Sequence, residues 1–151
     1  MKKSDLLEQV KKLRQETGAG VMMCKKALEE TGDYQKEKEW IKKKGVEKAE
    51  EKKERETKEG YVATYTHATG KIGVVVELLC ETDFVSRNQE FRQLAQEICL
   101  QVAAMNPKDK KELLAQEYIR EPGKTIETLL KEAVAKFGEN IQIGDFARLE
   151  I

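Results

Sequence analysis

Apolar residues recur at helical spacing in three short runs at the front of the chain. Leu6, Leu7, Val10 and Leu13 form the first, behind Ser4 as its N-cap. Thr17-Gly18-Ala19-Gly20 breaks the pattern. Val21, Met22, Cys24, Ala27 and Leu28 mark a second helix that stops at Gly32. Asp33 can cap a third, whose Tyr34, Trp40 and Ile41 face the other two before Gly45 ends it. The pattern predicts a compact three-helix domain over residues 1–46, with a thin core because about 46 residues is close to the lower limit for an independent fold.

Beyond residue 60 the period changes. Tyr61–Thr66 is rich in β-branched and aromatic residues, His67-Ala68-Thr69-Gly70 supplies a turn, and Ile72–Leu79 places Ile72, Val74, Val76 and Leu78 on one face of a strand. Helical spacing returns with Phe91, Leu94, Ala95, Ile98, Val102 and Ala103, behind Asn88 as cap and ended by Asn106-Pro107. Two further helices are predicted at 109–117 and 124–137. The chain closes on a strand in which Ile141, Ile143, Ala147, Leu149 and Ile151 share a face, interrupted by Asp145. The order β-β-α-α-α-β predicts an α+β core domain over 60–151, a three-stranded antiparallel sheet packed against helices.

Between the two parts, residues 47–59 hold 11 charged positions in 13. Glu51/Arg55 and Glu54/Lys58 fall at i,i+4 with the acid first, the favourable helical order, yet no apolar stripe runs through them. This reads as a charged, solvated and partly helical linker. Across the whole chain 28 basic side chains balance 28 acidic ones, with residues 1–58 net +4 and the remainder net −4. Neutrality argues against a general nucleic-acid or membrane-surface binder. No apolar run approaches the ~20 residues of a membrane span, and the start at Met1 leads into a charged amphipathic stretch. The expectation is a soluble, cytoplasmic protein with no membrane or direct nucleic-acid partner.

Reactive side chains are few. His67 is the single histidine, Ser4 and Ser86 are the two serines, and Cys24, Cys80 and Cys99 contain no C-x-x-C pair. A disulfide framework, a structural zinc site and a Ser-His-Asp triad are all disfavoured. Gly123-Lys124-Thr125 mimics the end of a phosphate-binding loop, but Tyr118 stands where the first glycine is required, so Thr125 reads as a helix start. Cys80 and Cys99 read as small buried hydrophobes and His67 as a solvated turn residue. For Met22 and Met23 a core reading and an interface reading both stand open, since two adjacent positions on a helix cannot both face inward.

Cys80-Glu81-Thr82-Asp83-Phe84-Val85-Ser86-Arg87-Asn88 joins the second strand to the long helix. Strand-to-helix connections are where binding residues concentrate. Two readings stand. Phe84 and Val85 tuck into the core while Asp83 caps a turn, which periodicity favours, or Phe84 protrudes as an interface anchor.

Thr82-Asp83-Phe84-Val85, preceded by Val76-Glu77-Leu78-Leu79-Cys80-Glu81, strongly resembles the signature of the elongation factor Ts family. So does the run from Leu13 to Leu28, with Gly32-Asp33, Trp40 and Gly138-Glu139-Asn140-Ile141 in matching order. The resemblance implies a guanine-nucleotide exchange factor for elongation factor Tu in translation, with a ubiquitin-associated-like helical domain at the front. It implies no bond-making chemistry and no cofactor or metal of its own. Thr82, Asp83, Phe84 and Val85 would form the segment that intrudes beside the magnesium site of Tu and loosens GDP. Arg14, Val21, Met22 and Lys25 match family positions that lie against the nucleotide-binding domain of Tu, and the implied partner is Tu in its GDP-bound and nucleotide-free states. Met23 stands where the family usually has aspartate, and the Glu/Lys-dense linker replaces an Ala- and Gly-rich one. The chain looks like a short form with one core module. Val75 and Leu79 lie opposite the apolar face of the second strand, and short members imply a homodimer paired sheet against sheet. An adaptor that keeps the helical domain but has lost exchange is the rival reading.

Overall fold

The computed structural model describes residues 3–151. Helix α1 (Lys3–Thr17) is followed by α2 (Val21–Thr31) and α3 (Tyr34–Lys52). Ser4 lies inside α1, where its hydroxyl bonds Asp5, and does not act as the N-cap. Asp33 caps α3 as its position predicts, its Oδ1 accepting from the amides of Gln35 and Lys36. Val10, Leu13, Cys24, Ala27, Leu28 and Ile41 form the small core of this three-helix unit. Leu7 points to solvent, and Trp40 is half-buried with its indole N–H donating to Glu30 at 2.8 Å.

The third helix does not stop at Gly45. It runs seven residues further, to Lys52, and Gly45 is its point of closest approach to α7 (Ile126–Phe137): a Cβ there would lie 3.0 Å from that of Ala135. Gly costs a helix interior roughly 1 kcal/mol against Ala, which tertiary packing offsets here. Ala49 is buried in the main core, and Lys131–Glu50 (3.0 Å) and Lys42–Glu132 (3.8 Å) span the two helices. The first six residues of the charged stretch thus belong to a packed helix that ties the front unit to the core. The last residue of that stretch, Glu59, opens the first strand, and only 53–58 lie outside these elements.

Strands β1 (Glu59–Thr66), β2 (Ile72–Cys80) and β3 (Gln142–Glu150) form an antiparallel sheet in the order β1-β2-β3. Between β2 and β3 run α4 (Asp83–Arg87), α5 (Gln89–Met105), α6 (Lys110–Ala115) and α7; the pattern of the sequence does not reveal the one-turn α4. The fold is α+β, with its helices on one face of the sheet. From α5, Phe91, Ala95, Ile98, Cys99 and Val102 meet Ala63, Val74, Val76 and Leu78 of the sheet. Phe91 is fully buried and lies edge-on to Phe137, supplying roughly 2–3 kcal/mol through burial. Fully buried Gln101 fastens the α6–α7 connection, donating to the Glu117 carbonyl and accepting from the Ile119 amide. No helix among the described residues is long and apolar enough to cross a membrane.

One strand differs from its alternating pattern. Leu78 pairs with Ile143 but Val76 pairs with Phe146, so β3 carries a bulge. Glu77 holds it by accepting from the Asp145 amide at 2.9 Å, and Gly144 leaves room for that carboxylate. Past the bulge the parity inverts. Ile143, Phe146 and Arg148 face the helices, whereas Ala147 and Leu149 join Val62 and Val75 on the outer face.

Candidate functional site

The connection from β2 to α5 is short because both elements are pinned. Cys80 ends β2 buried under the sheet, and Asn88 caps α5 with its Oδ1 accepting from the Glu90 amide at 2.8 Å. Burial, and after it the charge of Glu139, push the Cys80 thiol up to about 11. It is an inert hydrophobe, as is Cys99, whose thiol burial also raises to about 11. The residues between must turn sharply, and they do so as the single turn of α4.

Phe84 and Val85 divide the two readings between them. Val85 packs half-buried on the main core, and Ser86 beneath it donates to the Asp83 carbonyl at 3.1 Å. Phe84 points the other way and is 86% exposed. The core-packing reading therefore does not hold for Phe84. Thr82 is the N-cap residue of α4 and Asp83 lies in its first turn, paired with Arg87 at 3.4 Å. The Phe84 ring takes no part in the main hydrophobic core.

The entry to α4 is braced from far away in sequence. The Glu139 carboxylate accepts from the Glu81 amide at 2.9 Å, the Thr82 amide at 3.0 Å and the Thr82 hydroxyl at 2.5 Å. In return Glu81 accepts from the Asn140 amide at 2.7 Å, and Arg55 pairs with Glu81 at 3.6 Å. Gly138, in the left-handed conformation at φ 74°, ends α7 and delivers Glu139 to this place.

The second group of residues sits on the front unit. Arg14 is exposed in the last turn of α1, and Val21 and Met22 are exposed on α2, Met22 at 67%. Lys25 is exposed and pairs loosely with Glu29. Met23 is half-buried against the small core, so the two methionines take opposite roles. These residues do not touch Thr82–Val85. A cleft of about 330 Å³ lies between the front unit and the core, lined on one side by Gln15, Glu16 and Gly18 and on the other by Glu90 and Leu94, and it includes no residue of either group. Glu90, in the first turn of α5, reaches Lys136 across it. His67 lies apart, exposed at the hairpin with its Nδ1 beside the Tyr65 hydroxyl. Lys124 of the false phosphate loop is held between Glu121 and Glu132 at 2.7 and 2.6 Å.

The structure thus presents an exposed ring on a braced turn of the α+β core and, separately, exposed apolar side chains on α2 of the front unit. The sequence profile of the family described as Elongation factor TS matches residues 81–151. The elongation factor Ts of Aquifex aeolicus is 50% identical over 150 residues, covering 95% of this chain and 52% of that protein. Those of Leptospira biflexa and Thermodesulfovibrio yellowstonii are 42% and 41% identical over 190 and 189 residues, again across 95% of this chain and 96% and 94% of theirs. The chain belongs to the elongation factor Ts family of translation elongation factors. It spans about half the length of the Aquifex relative, and the two longer alignments exceed its 151 residues, so those relatives carry residues this chain lacks.

Proposed function

We propose that this chain acts as a nucleotide exchange factor for elongation factor Tu in the cytoplasm. The observation that carries the reading is Phe84, an exposed ring next to Asp83 on a turn braced from two sides. Inserted beside the magnesium site of Tu, the Thr82–Val85 segment displaces loops there. Mg²⁺ tolerates little departure from octahedral geometry and bridges phosphate oxygens to protein. Disturbing that bridge releases GDP, and GTP then rebinds. Arg14, Val21, Met22 and Lys25 supply the second contact and hold the factor to Tu. No bond is made or broken. The factor binds empty Tu better than loaded Tu, and by linkage factor and nucleotide expel each other.

A homodimer belongs to the same reading. Val62, Val75, Ala147 and Leu149 lie exposed on the sheet face opposite α5. A two-fold pairing of these faces covers them with one patch used twice. The direct test of the function is release of labelled GDP from Tu with and without this protein. Acceleration at micromolar concentration supports exchange; none there would leave the adaptor reading in its place.

A further inference from the structure

A helix of one turn has little stability of its own, so the direction of Phe84 must be set from outside α4. Val85 and Ser86 set it from beneath. At the entry, Thr82 occupies the N-cap but its side chain makes no capping bond; the hydroxyl is turned instead to Glu139. Three donors from residues 81 and 82 meet this one carboxylate, and charge-assisted bonds are the strong kind. Glu81 returns the contact to the Asn140 amide, so two dipeptides nearly sixty residues apart hold each other. Buried Asn140 extends the bracket, its Nδ2 donating to the carbonyls of Arg55 at 2.7 Å and Lys53 at 3.3 Å. The chain leaving α3 is tied at the same point.

We propose that Glu139 is a positioning residue for the Thr82–Val85 segment, acting through the backbone it holds and not by touching the partner. This rests on the reading of that segment as the one that contacts Tu. The bracket presets where the ring stands relative to α3, and through α3 relative to the front unit. Preorganisation of this kind lowers the ordering cost of binding.

The test uses the full chain and three variants. Glu139→Ala removes all three acceptances. Glu139→Asp is one methylene too short to reach. Glu139→Gln keeps the length and an acceptor for the two amides, and its amide nitrogen can donate to the Thr82 hydroxyl, which then accepts. Amide hydrogen exchange at residues 81–87 should quicken by about tenfold or more in the Ala and Asp variants and stay near wild type in Gln, with residues 74–78 of β2 unchanged in all. In GDP release from Tu, the half-saturating concentration of the Ala variant should rise about tenfold while the plateau rate stays within about twofold, because bound Tu can mould a loosened segment. Exchange at 81–87 unaltered by Glu139→Ala would overturn the proposal. So would a Gln variant as poor as Ala, or quickened exchange throughout β2, which marks a general structural role. A wild-type chain that releases no GDP would remove the proposed function, and the exchange data alone would then decide whether Glu139 holds the segment.

Discussion

Phe84→Ala separates the contact role from folding more sharply than any other change. The ring is 86% exposed, so its removal takes almost nothing from the core. Alanine is also the better helix former, and the folded state should move by no more than about 0.5 kcal/mol. Against a partner the balance is different. An aromatic side chain presents roughly 200 Å², most of it in water here, and truncation to Ala forgoes roughly 100 Å² of buried contact, or about 2.5 kcal/mol. At about 1.4 kcal/mol per decade that approaches a hundredfold, and an imperfect pocket on Tu brings it towards tenfold. GDP release from Tu, titrated with wild type and variant, should therefore show at least a tenfold deficit while circular dichroism and melting temperature hardly change. A melting temperature several degrees lower would mean that the ring serves the fold. Superimposable release curves would mean that it does not serve exchange.

Val75→Glu places two charges in a two-fold sheet contact. Wild type should sediment at about twice the 17.3 kDa chain mass and the variant as a monomer with weakened exchange; a wild type that is monomeric well above micromolar concentration refutes the pairing. Gly45→Leu drives a side chain into Ala135 and should cost about 1–3 kcal/mol in denaturant unfolding, whereas an unchanged midpoint would show that α3 and α7 do not depend on this approach. Glu37 is buried, its Oε2 lacks a hydrogen-bond partner, and burial, followed by the charge of Asp33, raises its carboxyl above the ordinary range. The folded chain then holds this proton to higher pH than the unfolded chain, so stability from Glu37 is present in acid and lost as pH rises through the folded value. Glu37→Gln should raise the melting temperature at neutral pH and lose that advantage in acid; a variant less stable at neutral pH would contradict the sign.

Much of the fold was legible because the interactions that specify it are local. The Asp33 and Asn88 caps close on amides two or three residues away, and the alternation in β2 needs no neighbour to define its faces. The apolar repeat of α5 likewise names its own buried side, and Gly32 and Gly138 end their helices at φ 61° and 74° as glycine allows. The segment Thr82–Val85 also stood out by residue type, an acid and a large ring on a connection. What a single turn cannot carry is a period, so the opposite directions of Phe84 and Val85 had no signal in the sequence.

Tertiary structure decided the rest wherever one residue's state depends on a partner remote in the chain. Gly45 reads as a helix stop by propensity, but Ala135 makes it a contact point and α3 continues past it. The parity of β3 inverts because Glu77 of the neighbouring strand stabilises the bulge at Asp145. Glu139 carries no mark of its role in its own surroundings, since the amides and hydroxyl it accepts lie 57 and 58 residues away. Sequence periodicity reports the energies of turns and faces, which are set within a few residues. The aim of the Phe84 ring and the joining of the front unit to the core come from contacts that exist only once the chain has folded.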